Sequence, residues 1–244
     1  MLDTARTRNV PVVLALVSGR PRLLNGLAER ADAVLLLYQP GPMGGLALAN
    51  LLAGNSIPSG RLPFTYPKHA GNVPYAYHHK PGDLCAFKPS AGAGGSGATS
   101  QAGMALENRE CEVEWPFGTG LSYTTFQTSK PVLSATTVSE KDSLDVRVTV
   151  TNTGALAASY IAQLFQFAAY RRVTPEYKLL KRFDKVFLRP GQSRQLVWTL
   201  SAADWSYVGV DSRQVLEDTT FFLAADASID CRKEFTSSQQ LSST

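Results

Sequence analysis

The stretch that most constrains the fold of this chain is "SLDVRVTVTNTG", residues 143–154. Leu144, Val146, Val148 and Val150 fall on one side of an extended backbone, and Asp145, Arg147, Thr149 and Thr151 on the other. A period of two, rich in β-branched residues, suits a half-buried strand and no helix. Asn152-Thr153-Gly154 then supplies turn chemistry. The texture repeats downstream in "SYIAQLFQF" (159–167), "LLKRFDKVFL" (179–188), "SRQLVWTL" (193–200) and "TTFFLAAD" (219–226), with Pro190-Gly191 setting a turn between two of them. About seven short strands in roughly 100 residues predict an antiparallel sandwich of immunoglobulin type.

The first 66 residues follow another rhythm. Val12–Val17 is a short apolar run that reads as a buried strand. Pro21 suits a first helical turn, and Leu23, Leu24, Leu27 and Ala31 form a helical stripe. Ala33–Tyr38 is a second apolar strand. The "GPMGGLALANLLAG" stretch turns into a helix carrying Leu48, Leu51 and Leu52, stopped by Gly54. This β-α-β-α order is that of a parallel sheet with packed helices. Two strands are few for such a sheet, so the expectation is a truncated α/β domain whose beginning lies upstream of Met1.

The expected organisation is therefore α/β plus all-β. A partial α/β sandwich occupies residues 1–67. Residues 68–125 form a linker with the Gly/Ala/Ser-rich insert "SAGAGGSGATSQAG" (90–103), read as flexible, and a domain seam "EWPFGTGLSYTTF" (114–126). A β-sandwich spans 126–235, and a polar tail, 236–244, is expected to be disordered. "RLPFTYP" (61–67) reads as an extended segment whose prolines forbid a central strand.

Four stretches together resemble glycoside hydrolase family 3, the β-glucosidases and β-xylosidases. They are "PVVLALVSGRP" (11–21), "YQPGPMGGLALANLLAGNSIPSGRLPFTYPK" (38–68), "VPYAYHHKPGD" (73–83) and "WPFGTGLSYTTF" (115–126). The last is similar to the family's entry into a fibronectin type III-like domain, and the four stand in the family's order. Two departures stand out: Met43 occupies the position of the family's usual Glu, and the Gly/Ala/Ser insert replaces a region richer in Tyr and Arg.

The resemblance implies a retaining glycosidase that removes terminal, non-reducing β-linked sugars in carbohydrate catabolism, β-glucosides first and β-xylosides second. Such chemistry needs two carboxyl groups about 5–5.5 Å apart. The family's nucleophilic Asp sits on an N-terminal barrel, and its acid/base Glu often lies upstream of the "LVSGRP" strand. No residue here matches either motif, so none is assigned as catalytic, cofactor-binding or metal-binding. Whether the chain is itself an enzyme stays open. The expected partners are a β-glucoside or oligosaccharide in the full-length protein and the missing barrel, with no cofactor, nucleic acid or membrane. The alternative is a non-catalytic carbohydrate- or protein-binding module.

Other residues were weighed for chemistry. Glu29 with Asp32, and Glu107, Glu110, Glu112 and Glu114, read as solvated or structural carboxylates. Adjacent His78 and His79 point opposite ways on an extended chain and chelate poorly; His69 is read as structural or exposed. "GPMGG" lacks the spacing of a phosphate loop. Arg61 reads as an ion-pair anchor between domains. Arg171, Arg172, Lys178, Lys181, Arg182, Lys185, Arg189 and Arg194 form a basic cluster expected to face water. Trp198, Trp205, Phe221 and Phe222 read as core. Cys85 and Cys111 could bridge, leaving Cys231 over in an odd count of three. No apolar run reaches the roughly 18–20 residues of a membrane span, and no signal-peptide pattern opens the chain. The compartment is left open, the family often being secreted or periplasmic. The net charge of +4 permits an acidic partner without requiring one.

Overall fold

The computed structural model describes residues 2–70, 76–80, 113–168, 170–226 and 239–243. The α/β half opens with α1 (Leu2–Thr7), a short helix that the sequence pattern did not announce. Strands β1 (Val13–Leu16) and β2 (Ala33–Leu36) pair in parallel, Val13 opposite Ala33 and Leu16 opposite Leu36. The expected helix between them is reduced to α2 (Leu27–Arg30). Asn25 at φ 47° and Gly26 at φ 81° break the stripe, and Leu24 is buried from a turn. Two successive left-handed residues cannot continue a right-handed helix. Helix α3 (Gly44–Leu52) forms as its Leu pattern predicts, and Gly54 ends it at φ 75°.

The second half is built from antiparallel strands around one core. One sheet centres on β6 (Leu144–Asn152), flanked by β3 (Phe126–Thr128), β4 (Val132–Leu133) and β9 (Ser193–Leu200). The other orders β5 (Thr137–Val138), β13 (Gln239–Ser243), β12 (Thr220–Ala225), β7 (Ala158–Ala168) and β8 (Leu179–Leu188). The Leu144–Val150 stripe packs with Leu196, Trp198 and Leu200 against Ala162, Leu164, Val186, Leu188, Phe221 and Leu223 of the facing sheet. Trp205, on the short helix α4 (Ala202–Trp205), closes that core. Strands β10 (Tyr207–Val208) and β11 (Gln214–Val215) make a small separate hairpin.

Two expectations change. Asn152-Thr153-Gly154 does not close a hairpin, because β6 and β7 lie in different sheets. Asn152 is buried there instead, donating its amide to Leu156 O and Leu188 O at 2.8 and 3.0 Å. The tail expected to be disordered includes β13, which pairs with β12 antiparallel and β5 in parallel. The reason is the vacant edge of β12, whose unpaired N–H and C=O groups recruit even a polar segment.

Candidate functional site

In an open parallel sheet, ligands bind outside the carboxyl ends of the strands. Here those ends are Leu16 and Leu36. Beyond them Ser18, Arg20, Arg22, Tyr38, Phe64 and Tyr66 line a cleft of about 20 Å³. The loop after β1 is tied to itself: Ser18 Oγ donates to Arg20 O at 2.8 Å and accepts from Arg22 Nε at 3.3 Å. Tyr66, buried under it, donates its hydroxyl to Arg22 O at 2.9 Å and accepts from Arg22 N at 3.1 Å. One phenol thus fixes both backbone groups of Arg22.

Aromatic rings form the opposite wall. Tyr38 meets Phe64 edge-on at 6.1 Å, Phe64 stacks on Tyr66 at 6.1 Å, and Tyr66 meets Trp115 at 5.1 Å. Tyr38 holds φ 51°, an uncommon conformation for a bulky residue and one found at functional turns. Burial, then neighbouring Tyr66, pushes its phenol above the ordinary range. No carboxylate lines this cleft among the described residues.

The seam explains how that wall is held. "RLPFTYP" runs beside residues 114–120: Leu62 N donates to Thr119 O and Gly118 N to Leu62 O, each at 2.8 Å. Tyr66 N donates to Trp115 O at 2.8 Å and Glu114 N to Tyr66 O at 3.0 Å. Gly118 takes φ 84°, and a Cβ on Gly120 would collide with Gly60 O. These two glycines are what the contact requires. Arg61 anchors the halves, with no ion pair to it among the described residues. It donates to Gly118 O at 3.4 Å and Gly120 O at 3.1 Å, and its guanidinium stacks 4.8 Å over the ring of Tyr160 on β7. On the far side Phe117 stacks on Tyr77 at 4.1 Å and meets Phe165 edge-on at 6.2 Å.

Asp32 accepts from Val12 N at 2.7 Å, while Glu29 pairs with Lys68 at 3.7 Å, so the two do not meet. Glu114 instead comes near Glu29, from a segment that no sequence pattern connects to it. Burial first, and Glu29 second, push its carboxyl up, against Lys68 and His69. Glu107, Glu110 and Glu112, all three cysteines and the Gly/Ala/Ser insert lie outside the described residues. His78 is exposed; His79 is half-buried, stacks on Tyr177 at 5.4 Å and is pushed down by burial. "GPMGG" leads into α3 with exposed Met43 as its first flanking residue and no side-chain cap.

The basic cluster faces water in part: Arg172, Lys185, Arg189 and Arg194 are exposed, as expected. Arg171 and Lys178 are buried, Arg171 bound to Glu176 at 2.8 Å and Lys178 4.0 Å over the ring of Phe165. Arg182 grips Asp204 with both nitrogens, at 2.7 and 2.9 Å. These cations hold loops to sheets. Trp198, Trp205 and Phe221 are core, as their pattern suggested, and Trp198 Nε1 donates to Asp184 at 2.7 Å.

Comparison with known proteins decides the family. Residues 1–123 match the glycosyl hydrolase family 3 C-terminal domain, and residues 160–229 the fibronectin type III-like domain. The chain belongs to glycoside hydrolase family 3. It is 36% identical over 234 residues to a lysosomal beta glucosidase of Dictyostelium discoideum, covering 91% of this chain and 25% of that protein. It is 30% identical to a beta-xylosidase of Formosa agariphila, covering 93% of this chain and 30% of the relative. A mutant beta-glucosidase from Listeria innocua, solved with laminaribiose, superposes with a TM-score of 0.81 at 26% identity, covering 100% of this chain and 32% of that one. The family 3 chain thus spans about a quarter to a third of the length of these proteins.

Proposed function

We propose that these 244 residues work as the C-terminal part of a retaining glycosidase acting on terminal, non-reducing β-linked sugars, β-glucosides first and β-xylosides second. The nucleophilic and acid/base carboxylates come from segments outside this chain, the nucleophile from a barrel. The observation that carries the reading is the cleft at the ends of β1 and β2. It is walled by arginines and aromatics suited to a sugar, yet among the described residues it lacks any carboxylate. At about 20 Å³ it has room for little more than a water. It becomes a sugar site only when other segments complete its walls.

In this reading the α/β half is a partial α/β sandwich, and the second half is an immunoglobulin-like brace. The brace holds "RLPFTYP" through the seam, and that segment carries Phe64 and Tyr66 into the cleft. The test is direct. The purified chain should not hydrolyse an aryl β-glucoside or β-xyloside, and turnover by the pure chain overturns the assignment of the carboxylates. On immunoblots of its own cells, an antibody against the β-sandwich should detect a band larger by at least roughly 250 residues, the size of a barrel.

A further inference from the structure

A second cavity lies on the β-sandwich, between the loop joining β7 to β8 and the residues around β10. Its volume is about 250 Å³, and its lining includes Lys80, Arg171, Val173, Glu176, Tyr207 and Val208. Arg171, one of the lining residues, is only 6% exposed. One guanidinium nitrogen, Nη1, donates to Glu176 Oε2 at 2.8 Å, and the group lies 4.9 Å from the centre of the Tyr207 ring. Its Nε is buried with no hydrogen-bond partner among the described residues. A buried guanidinium N–H left unmatched costs free energy until a ligand or water meets it. Lys80 lies at the cavity and donates to Thr174 O.

We infer that this cavity is a binding site for a single neutral sugar unit. The Arg171–Glu176 pair presents a donor and an acceptor side by side. Vicinal hydroxyls, each able to give and to take a hydrogen bond, satisfy both at once. A simple anion matches Arg171 but meets the Glu176 carboxylate as well. Val173, Tyr207 and Val208 supply the apolar wall against which a pyranose ring lays its C–H face, in the usual mixture of apolar lining and few polar groups. Unlike the cleft at the strand ends, this cavity has a volume on the scale of a sugar ring within the described residues. It does not depend on where the catalytic carboxylates reside.

The experiment titrates the isotopically labelled 244-residue chain with methyl β-glucoside and follows its amide spectrum. Saturable shifts are expected at Val173, Thr174, Glu176, Tyr207 and Val208. Arg171→Lys should weaken them about tenfold or more, from loss of a charge-assisted hydrogen bond. Glu176→Gln should weaken them less, and its folded spectrum keeps the test valid if the lysine variant misfolds. Absence of saturable shifts, or shifts confined to other residues, overturns the inference. So does a response to inorganic phosphate or glucuronate at these amides without one to the glucoside, and so does wild-type binding by both variants.

Discussion

Lys178→Met should make the β-sandwich more stable at neutral pH, although it removes a charge. Lys178 is 1% exposed, and burial brings its pKa from 10.5 down to about 7. At about 1.4 kcal/mol per pH unit, that separation corresponds to roughly 4–5 kcal/mol for holding the ammonium at pH 7. The ring of Phe165, 4.0 Å away, returns about 1–2 kcal/mol through cation–π attraction. Methionine fills a similar volume without the charge but gives up the other contacts of Lys178, so the net gain expected at pH 7 is about 1–3 kcal/mol, below the roughly 2–4 kcal/mol left by those two effects alone. The pH dependence is diagnostic. A base whose folded pKa is depressed contributes stability that is complete above the unfolded value and lost as pH falls through the folded one. Between about pH 7 and 10.5 the unfolded chain holds the proton and the folded chain does not, so wild-type stability rises with pH relative to the variant. Urea unfolding, followed by the fluorescence of core Trp198 and Trp205, measures the difference at about pH 7 and about pH 9.5. A variant less stable at pH 7, or an advantage unchanged between the two pH values, refutes the reasoning.

Gly120→Ala should loosen the seam, since its Cβ meets Gly60 O, and cost about 1–3 kcal/mol in denaturant midpoint experiments. Arg61→Met loses two carbonyl contacts and the Tyr160 stack, about 1–3 kcal/mol, and should expose residues near 60–67 to limited proteolysis before the sandwich is cut. Glu114→Gln should raise the thermal midpoint at neutral pH. A carboxyl whose folded pKa is raised contributes stability that is complete below its unfolded value and lost as pH rises through the folded one, so the advantage should vanish below about pH 4.

The strands were legible because their chemistry is local. The Leu144–Val150 alternation, "LLKRFDKVFL" and "SRQLVWTL" name β6, β8 and β9 nearly to the residue. What was hidden depends on distant partners. The helix expected from Pro21 fails because Asn25 and Gly26 turn left-handed and send Leu24 under the sheet. Lys178 sits in a run of charges that reads as solvated, and its burial over the Phe165 ring, thirteen positions earlier on β7, comes from the fold. The nearness of Glu114 to Glu29 is set by the seam, which no periodicity encodes. In the candidate site, "SGRP" and "RLPFTYP" read only as a strand-turn and an extended segment, and neither named a binding residue. Their meeting through the Tyr66 hydroxyl is a fact of the fold.

The seam also links stability to function in one direction. Among the described residues, Trp115, Phe117, Gly118 and Gly120 are not part of the cleft lining; they meet "RLPFTYP", whose Phe64 and Tyr66 are the cleft wall. That segment has two prolines and forms no regular strand, only an isolated bridge of Tyr66 with Trp115. Its conformation is therefore over-determined from the β-sandwich side, by Arg61 on Tyr160 and by four backbone hydrogen bonds. A change that leaves β1 and β2 intact but slackens the seam should move Tyr66, release the Arg22 backbone and open the cleft. In the proposed glycosidase, sugar affinity should then depend on residues of the non-catalytic brace that never touch the sugar.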